Sequence, residues 1–217
     1  MEQLQKTPTG IKGLDEVLLG GLPVGRPTLV CGSPGCGKTA LAMEFVCRGA
    51  QGFSEPGLFV SFEETPRDIM INFASCDFGL TEALTGRNMR IESALVNHDY
   101  SMEAGELTLD GLLVRLGHWL DATGARRLVL DSLDALFSRF SDSANLRIEL
   151  SQIFLWLKEK GVTTIVTSER GSEQLTRNGL EEYVSDCVIL LDHRIAEQIS
   201  KRRLRVIKYR GSAHGRD

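Results

Sequence analysis

Gly32-Ser33-Pro34-Gly35-Cys36-Gly37-Lys38-Thr39 has the spacing G-x-x-x-x-G-K-T. It stands between the apolar run Thr28-Leu29-Val30-Cys31 and the helix-like segment Ala40-Leu41-Ala42-Met43-Glu44-Phe45-Val46. Strand, glycine-rich loop and helix, in that order, are the context in which such a spacing cradles phosphate. Glycines let the backbone curl around phosphate oxygens without Cβ clashes. The helix that follows aims its free amides and positive dipole end at the same point. Lys38 is then placed to reach β- and γ-phosphates, and the Thr39 hydroxyl to ligate Mg²⁺. The competing reading is a glycine turn that matches by accident. With Gly at about 7% of residues, that happens in only on the order of one in a hundred chains this long.

Working outward, 217 residues and 23.9 kDa suffice for one well-cored domain and fall short of two, so a single domain over 1–217 is expected. A hydrophobic content of 42% with 25% charged residues fits an ordinary globular protein. The net charge of −4 gives no global basic field, so composition offers non-specific nucleic-acid binding no support. No stretch approaches the roughly 20 apolar residues of a membrane span. Met1-Glu2-Gln3-Leu4-Gln5-Lys6 lacks the apolar core of a secretory signal, and a cytoplasmic location without membrane attachment is expected. Cys31, Cys36, Cys47, Cys76 and Cys187 are odd in number and form no C-x-x-C pair, so they read as reduced thiols. Cys36 reads either as a small loop filler or as an oxidation-sensitive thiol beside the phosphate site.

Along the chain, Ile11, Leu14, Val17 and Leu18 share one helical face that Gly20-Gly21 and Pro23 terminate. Gly57-Leu58-Phe59-Val60-Ser61-Phe62 reads as a strand buried on both faces. Thr65-Pro66 opens a helix, Thr as cap and Pro in the first turn. A short strand is expected around Met89-Arg90-Ile91 and a polar surface loop from Ser93 to Gly105. Leu109, Leu112, Leu113, Leu116, Trp119 and Leu120 keep helical spacing, as do Leu146, Leu150, Ile153, Phe154 and Leu157 before Gly161. Arg127-Leu128-Val129-Leu130-Asp131 and the β-branched Val162-Thr163-Thr164-Ile165-Val166-Thr167 read as core strands. This alternation predicts an α/β fold, a mainly parallel sheet with helices on both faces. Cys187–Leu191 and Leu204–Tyr209, joined by a charged turn-length segment, predict an antiparallel pair at the sheet edge.

Ligands of such sheets collect beyond the carboxyl ends of the strands. The phosphate loop, Glu63-Glu64 and Asp131-Ser132 all occupy such ends and should meet at one rim. Asp131 is the natural Walker B carboxylate for Mg²⁺, with an N-cap for the next helix as its alternative. Glu63 is the candidate base that orients and deprotonates a water in line with the γ-phosphate, and Glu64 would raise its neighbour's pKa. The plainer alternative is that the pair caps the following helix. Thr167-Ser168-Glu169-Arg170 reads equally as a γ-phosphate sensor or a polar loop. Lys208 and Arg210 alternate on a strand and should share a face. They would either neutralise phosphate in a neighbouring subunit or protect a sheet edge.

The chain resembles the KaiC family, RecA-superfamily ATPases of the cyanobacterial circadian clock. The resemblance is carried by Thr9-Gly10, Leu14-Asp15, Gly20-Gly21-Leu22-Pro23, the loop from Gly32 to Thr39, Phe59-Val60-Ser61-Phe62-Glu63-Glu64-Thr65-Pro66 and Asp131-Ser132. It continues through Thr163–Arg170, Glu181-Glu182-Tyr183-Val184-Ser185-Asp186 and Lys208-Tyr209-Arg210-Gly211-Ser212-Ala213-His214. It runs along nearly the whole chain, and the order and spacing of these motifs are more specific than any one of them. Of the two tandem RecA-like domains of that family, the chain resembles the first, called CI. The resemblance implies a homohexameric ring with ATP at each subunit boundary, very slow hydrolysis, and a hydrolysis state that alters binding of a partner such as KaiB. It implies that Glu63 is catalytic with Glu64 beside it, and that Gly35, Cys36, Gly37, Lys38, Thr39 and Ala40 hold phosphate and Mg²⁺. It puts Ser75 against the nucleotide in cis and Lys208, Tyr209, Arg210, Ser212 and His214 at the adjacent protomer's ATP. It suggests a cis Asp131–Ser132 bond in one state. The autophosphorylated Ser-Thr pair of the family's second domain has no counterpart at Glu181-Glu182-Tyr183, so autokinase activity is not expected. The family also implies that either a second tandem domain follows residue 217 in the parent protein or the chain is a single-domain relative.

Two other readings stand beside this one. A RecA- or DnaB-like DNA-binding ATPase wants basic, glycine-bearing loops, for which Arg170, Gly171, Arg177 and Gly179 are thin support at a net charge of −4. A nucleotide-gated interaction module would bind ATP with negligible hydrolysis.

Overall fold

The computed structural model describes residues 4–94, 108–138, 146–171, 175–176, 185–196 and 199–215. Two-residue strands β1 (Lys6–Thr7) and β2 (Leu22–Pro23) pair antiparallel across the one-turn helix α1 (Leu14–Val17). That helix is shorter than the apolar spacing predicts, because Leu18 is its C-cap and the next three residues all have positive φ. Leu14, Leu18 and Leu22 are buried.

The central sheet starts with β3 (Pro27–Gly32), buried at every position, which runs through the phosphate loop into α2 (Lys38–Gly52). Next come β4 (Gly57–Ser61), α3 (Pro66–Phe73), α4 (Leu80–Thr85) and β5 (Met89–Ser93). The chain continues with α5 (Leu109–Thr123), β6 (Arg127–Asp131), α6 (Leu133–Phe137), α7 (Leu146–Lys160) and β7 (Thr163–Glu169). It ends with β8 (Cys187–Ala196) and β9 (Ile199–Tyr209). The seven strands lie in the order β5-β4-β6-β7-β3-β8-β9, every neighbouring pair parallel except β8–β9. The α/β architecture with a parallel centre and an antiparallel C-terminal pair is as expected from the sequence.

Strand alternation divides the core. Phe59, Val129 and Ile165 face Phe45 and Val46 of α2. Leu58, Val60, Leu128 and Leu130 face Leu112 and Leu116 of α5 and Leu150 and Phe154 of α7. Burying a side chain of this size stabilises the fold by about 1.5–3 kcal/mol, so two continuous apolar layers fix the sheet's register. The chain leaves β4 toward β5 on one side and returns to β6 on the other. A crevice therefore opens between β4 and β6 at their carboxyl ends.

Thr65 caps α3 as predicted, accepting from the Asp68 amide, with Pro66 in the first turn. The C-terminal hairpin is longer than its apolar runs. β8 extends to Ala196 and β9 begins at Ile199, so the charged segment is mostly strand. All five cysteines are free thiols, and burial pushes Cys47 and Cys187 up to about 12. Among the described residues no helix is long and apolar enough to cross a membrane. Most of the expected loop from Ser93 to Gly105 lies outside the described residues, as do Arg177, Gly179 and the segment Glu181-Glu182-Tyr183-Val184.

Candidate active site

The phosphate loop is held from below. A Cβ on Gly32 would lie 2.4 Å from the Leu191 carbonyl oxygen and 2.5 Å from Cys36 Sγ, so only glycine lets β8 pack against the loop's first residue. Gly37 caps α2 with φ 103° and no side-chain bond, which leaves the helix's first amides directed into the loop. Lys38 Nζ donates to the Gly32 and Ser33 carbonyls at 2.9 and 3.2 Å. Its ammonium therefore spans the mouth of the loop, where a bound phosphate would compete for it. Ala40 follows in the first turn of α2. Cys36 is buried, as a loop filler would be.

Across the crevice, the sheet order sets the acids beside one another. Ser61 pairs in register with Asp131, and β7 flanks β6 on the other side. Thr39 Oγ1 lies 3.4 Å from Asp131 Oδ1, and Thr167 Oγ1 on β7 donates to the same oxygen. Burial pushes the Asp131 carboxyl above the usual carboxylate range. The bonds from Thr167 and Thr39 oppose that, nearby Glu63 adds to it and Lys38 opposes it. The Asp131–Ser132 peptide bond is cis. Ser132 Oγ donates to Glu63 Oε1 at 2.8 Å and accepts from the Ala135 amide, so Ser132 and not Asp131 caps α6. The Glu63 and Glu64 amides both donate to Ser61 Oγ, at 3.2 and 2.9 Å, a turn that lifts the two acids off the end of β4. Thr65 does the capping of α3 that was the plainer alternative for the glutamates. Glu64 Oε2 instead accepts from Asn72 Nδ2 at 3.0 Å.

The phosphate loop, Thr39, Glu63, Asp131 and Ser132 thus meet at one rim. The segment from Thr167 to Glu169 is strand and not a polar loop. The Glu169 amide donates to Asp134 Oδ2 at 2.6 Å, and the Arg170 amide to the Gly32 carbonyl at 3.1 Å. Ser61 and Asp134 were not singled out in the sequence. A serine two residues before an acidic pair is an ST-turn signal that could have drawn attention to the first.

Other candidates lie elsewhere. Ser75 occupies the exposed turn after α3, on a different element from this cluster. Lys208 and Tyr209 end β9, and Arg210 begins the turn beyond. A register shift opposite Val188–Ile189 interrupts the simple alternation, so Val206 and Tyr209 are both buried. The Tyr209 hydroxyl donates to the Gly21 carbonyl at 2.7 Å, and Lys6 Nζ sits 4.8 Å over its ring. Ser212 Oγ donates to the Ala213 carbonyl, and His214 Nδ1 lies 2.8 Å from the Gly215 carbonyl. Within one chain, therefore, the C-terminal group does not join the phosphate-loop cluster.

Among the described residues no group of three or more His, Cys, Asp or Glu side chains is arranged to hold a metal ion by itself. One hydroxyl and one carboxylate, Thr39 and Asp131, suit a hard cation that takes its remaining ligands from phosphate and water, as Mg²⁺ does. A carboxyl raised by burial binds a proton more readily folded than unfolded. Its contribution to stability is therefore lost as pH rises from the ordinary carboxylate pKa through the raised value. Asp131→Asn should consequently melt above the parent at pH 8 without nucleotide, while losing Mg²⁺-dependent nucleotide binding. Melting curves with and without Mg²⁺ and ATP check this, and an Asp131→Asn protein less stable than the parent at pH 8 would refute the electrostatic account.

A family model described as "ATPase: KaiC" matches residues 7–217. The chain is 48% identical over 211 residues to the "Circadian clock protein KaiC2" of Synechocystis, covering 97% of this chain and 37% of that protein. It is 39% identical over 214 residues to the "Circadian clock oscillator protein KaiC" of Parasynechococcus marenigrum, covering 98% and 42%. To the protein of the same name from Synechococcus elongatus it is 36% identical over 215 residues, covering 98% and 41%. The chain spans about two fifths of the length of these curated relatives.

Proposed function

The chain belongs to the KaiC ATPase family, and on that premise we propose that it hydrolyses ATP slowly to ADP and phosphate, at sites shared between copies in a hexameric ring. The observation that supports this most is the chain of contacts Thr39–Asp131 and Ser132–Glu63 beside Lys38, which links the phosphate loop to an acid able to act on water. The loop amides and Lys38 bind the triphosphate. Glu63, aimed by Ser132 and by the Ser61 turn, orients the attacking water and accepts its proton. Thr39 and Asp131 would hold Mg²⁺, which when bound would supply positive charge to the phosphates. Lys208 and Arg210 reach the triphosphate of the next copy, with Tyr209, Ser212 and His214 shaping that contact. The family resemblance assigns Ser75, in the exposed turn after α3, to the nucleotide bound in cis. Such a head-to-tail contact is heterologous, and a ring is its closed form.

The single domain corresponds to the first of the family's two tandem domains. It works in the cytoplasm and has no autokinase activity. Its nucleotide state sets how it assembles and how it binds a KaiB-like partner in circadian or stress-related regulation. Native mass measurement with and without a non-hydrolysable ATP analogue, followed by steady-state phosphate release, tests the reading. A nucleotide-dependent hexamer with slow turnover is expected. A monomer under both conditions would remove the shared site, and assembly without phosphate release would make the protein a nucleotide-gated interaction module.

A further inference from the structure

Asp186 precedes β8 and is 2% exposed, yet it is one carboxylate against three cations. Lys158 Nζ, in the last turn of α7, comes to 2.6 Å of Oδ2. Arg210 Nη1 and Arg26 Nη1 approach Oδ1 to 3.8 and 3.9 Å from β9's end and β3's start. The backbone joins the same elements, because the Asp186 amide donates to the Pro27 carbonyl and the Arg210 amide to the Asp186 carbonyl at 2.8 Å. Burying a carboxylate is costly unless its partners are well placed. Of these three cations Lys158 is the close one, while the two guanidiniums lie beyond hydrogen-bond distance, with the Arg210 side chain 53% exposed. One buried acid thus gathers an excess of positive charge at the protein surface and ties Arg210 by both backbone and side chain.

We propose that Asp186 is a positioning residue that presents Arg210 to the triphosphate bound by the neighbouring copy. The inference rests on the shared-site reading above. A long arginine side chain loses several rotamers when it meets phosphate, and a fixed carboxylate at its base removes part of that cost beforehand. The close pair with Lys158 anchors the acid that stands beside Arg210. Asp186 touches neither nucleotide nor water in this scheme.

The test compares Asp186→Asn, Asp186→Glu, Arg210→Ala and the turnover-deficient Glu63→Gln, alone and in mixed rings. Asp186→Asn should lower kcat by about 10- to 100-fold, as small misplacements of a reacting group do, with KM for ATP within about twofold. Asp186→Glu should recover part of the loss. A Glu63→Gln subunit still presents an intact Asp186–Arg210 pair. In excess it should restore turnover in the sites of Asp186→Asn and of Arg210→Ala subunits, which also shows that both variants are folded. If Arg210→Ala is impaired and rescued by mixing while Asp186→Asn turns over like the parent, the positioning role is wrong and the shared site stands. If mixing rescues neither variant, or Arg210→Ala keeps the parent rate, the shared-site reading itself fails and the inference goes with it.

Discussion

Turnover in the protein carrying both Glu63→Gln and Glu64→Gln is expected to fall by about 10²–10⁴-fold, the usual worth of a positioned general base. Binding of an ATP analogue should stay within about twofold, because the interaction removed belongs to the transition state and not to the ground state. Gln at 63 keeps an oxygen to accept from Ser132 Oγ, and the two amides still donate to Ser61, so the turn at the end of β4 survives. Only the capacity to take a proton is lost. The phosphate loop is untouched, since Lys38 rests on the Gly32 and Ser33 carbonyls. Single variants apportion the effect. Glu64 is tied to Asn72 on the exposed side of α3, so Glu64→Gln alone should cost much less than Glu63→Gln. Phosphate release at the parent rate in the double variant would show that some other group activates the water.

What the sequence disclosed about this site, and what it hid, divides along physical lines. A phosphate loop is a local object: its spacing, its preceding strand and its helix all lie between Thr28 and Val46. The Thr65 cap and Pro66 are equally local. That Glu63 and Asp131 share a rim was also legible, because both end strands of a parallel sheet. The bonds Ser132–Glu63 and Thr167–Asp131 were not, since they depend on β6 lying between β4 and β7, an order no local pattern encodes. The strands β1 and β2 are too short to have a period. The hairpin's charged stretch hid for another reason. β3 ends at Gly32, opposite Leu191, so β8 beyond that point has β9 alone as a partner. Without a second neighbour there is little apolar surface to cover and no alternating signature to read.

Arg127 is the clearest case of a residue that the strand pattern contained without explaining. It opens β6 and is fully buried. Its Nε donates to Glu55 Oε2 at 2.6 Å, Nη1 to the Phe45 and Thr9 carbonyls at 2.9 and 3.3 Å, and Nη2 to the Pro8 carbonyl at 2.7 Å. Phe45 and Phe53 lie 4.5 and 5.0 Å from its guanidinium, so the charge rests between two rings. Burial lowers its pKa, and the bond and charge of Glu55 oppose that. The guanidinium thus ties the segment before α1 to α2 and to the sheet beneath the phosphate loop. Arg127→Ala leaves a carboxylate and three carbonyl groups without their donor. Breaking a buried ion pair by removing one partner costs about 3–5 kcal/mol, which corresponds to a fall in Tm of roughly 6–20 °C for a chain of this size. Arg127→Met should be less damaging, since it refills the space between the rings, and adding Glu55→Gln should recover part of the remainder by removing the stranded charge. Calorimetry on the parent, Arg127→Met, Glu55→Gln and their double variant closes the cycle, with Arg127→Ala measured beside them. A shift below about 2 °C for Arg127→Ala, where a loss of 1 kcal/mol should already give that much, would mean that the buried guanidinium is no keystone of the fold. Recovery confined to the Glu55→Gln background would instead locate the damage in the uncompensated carboxylate.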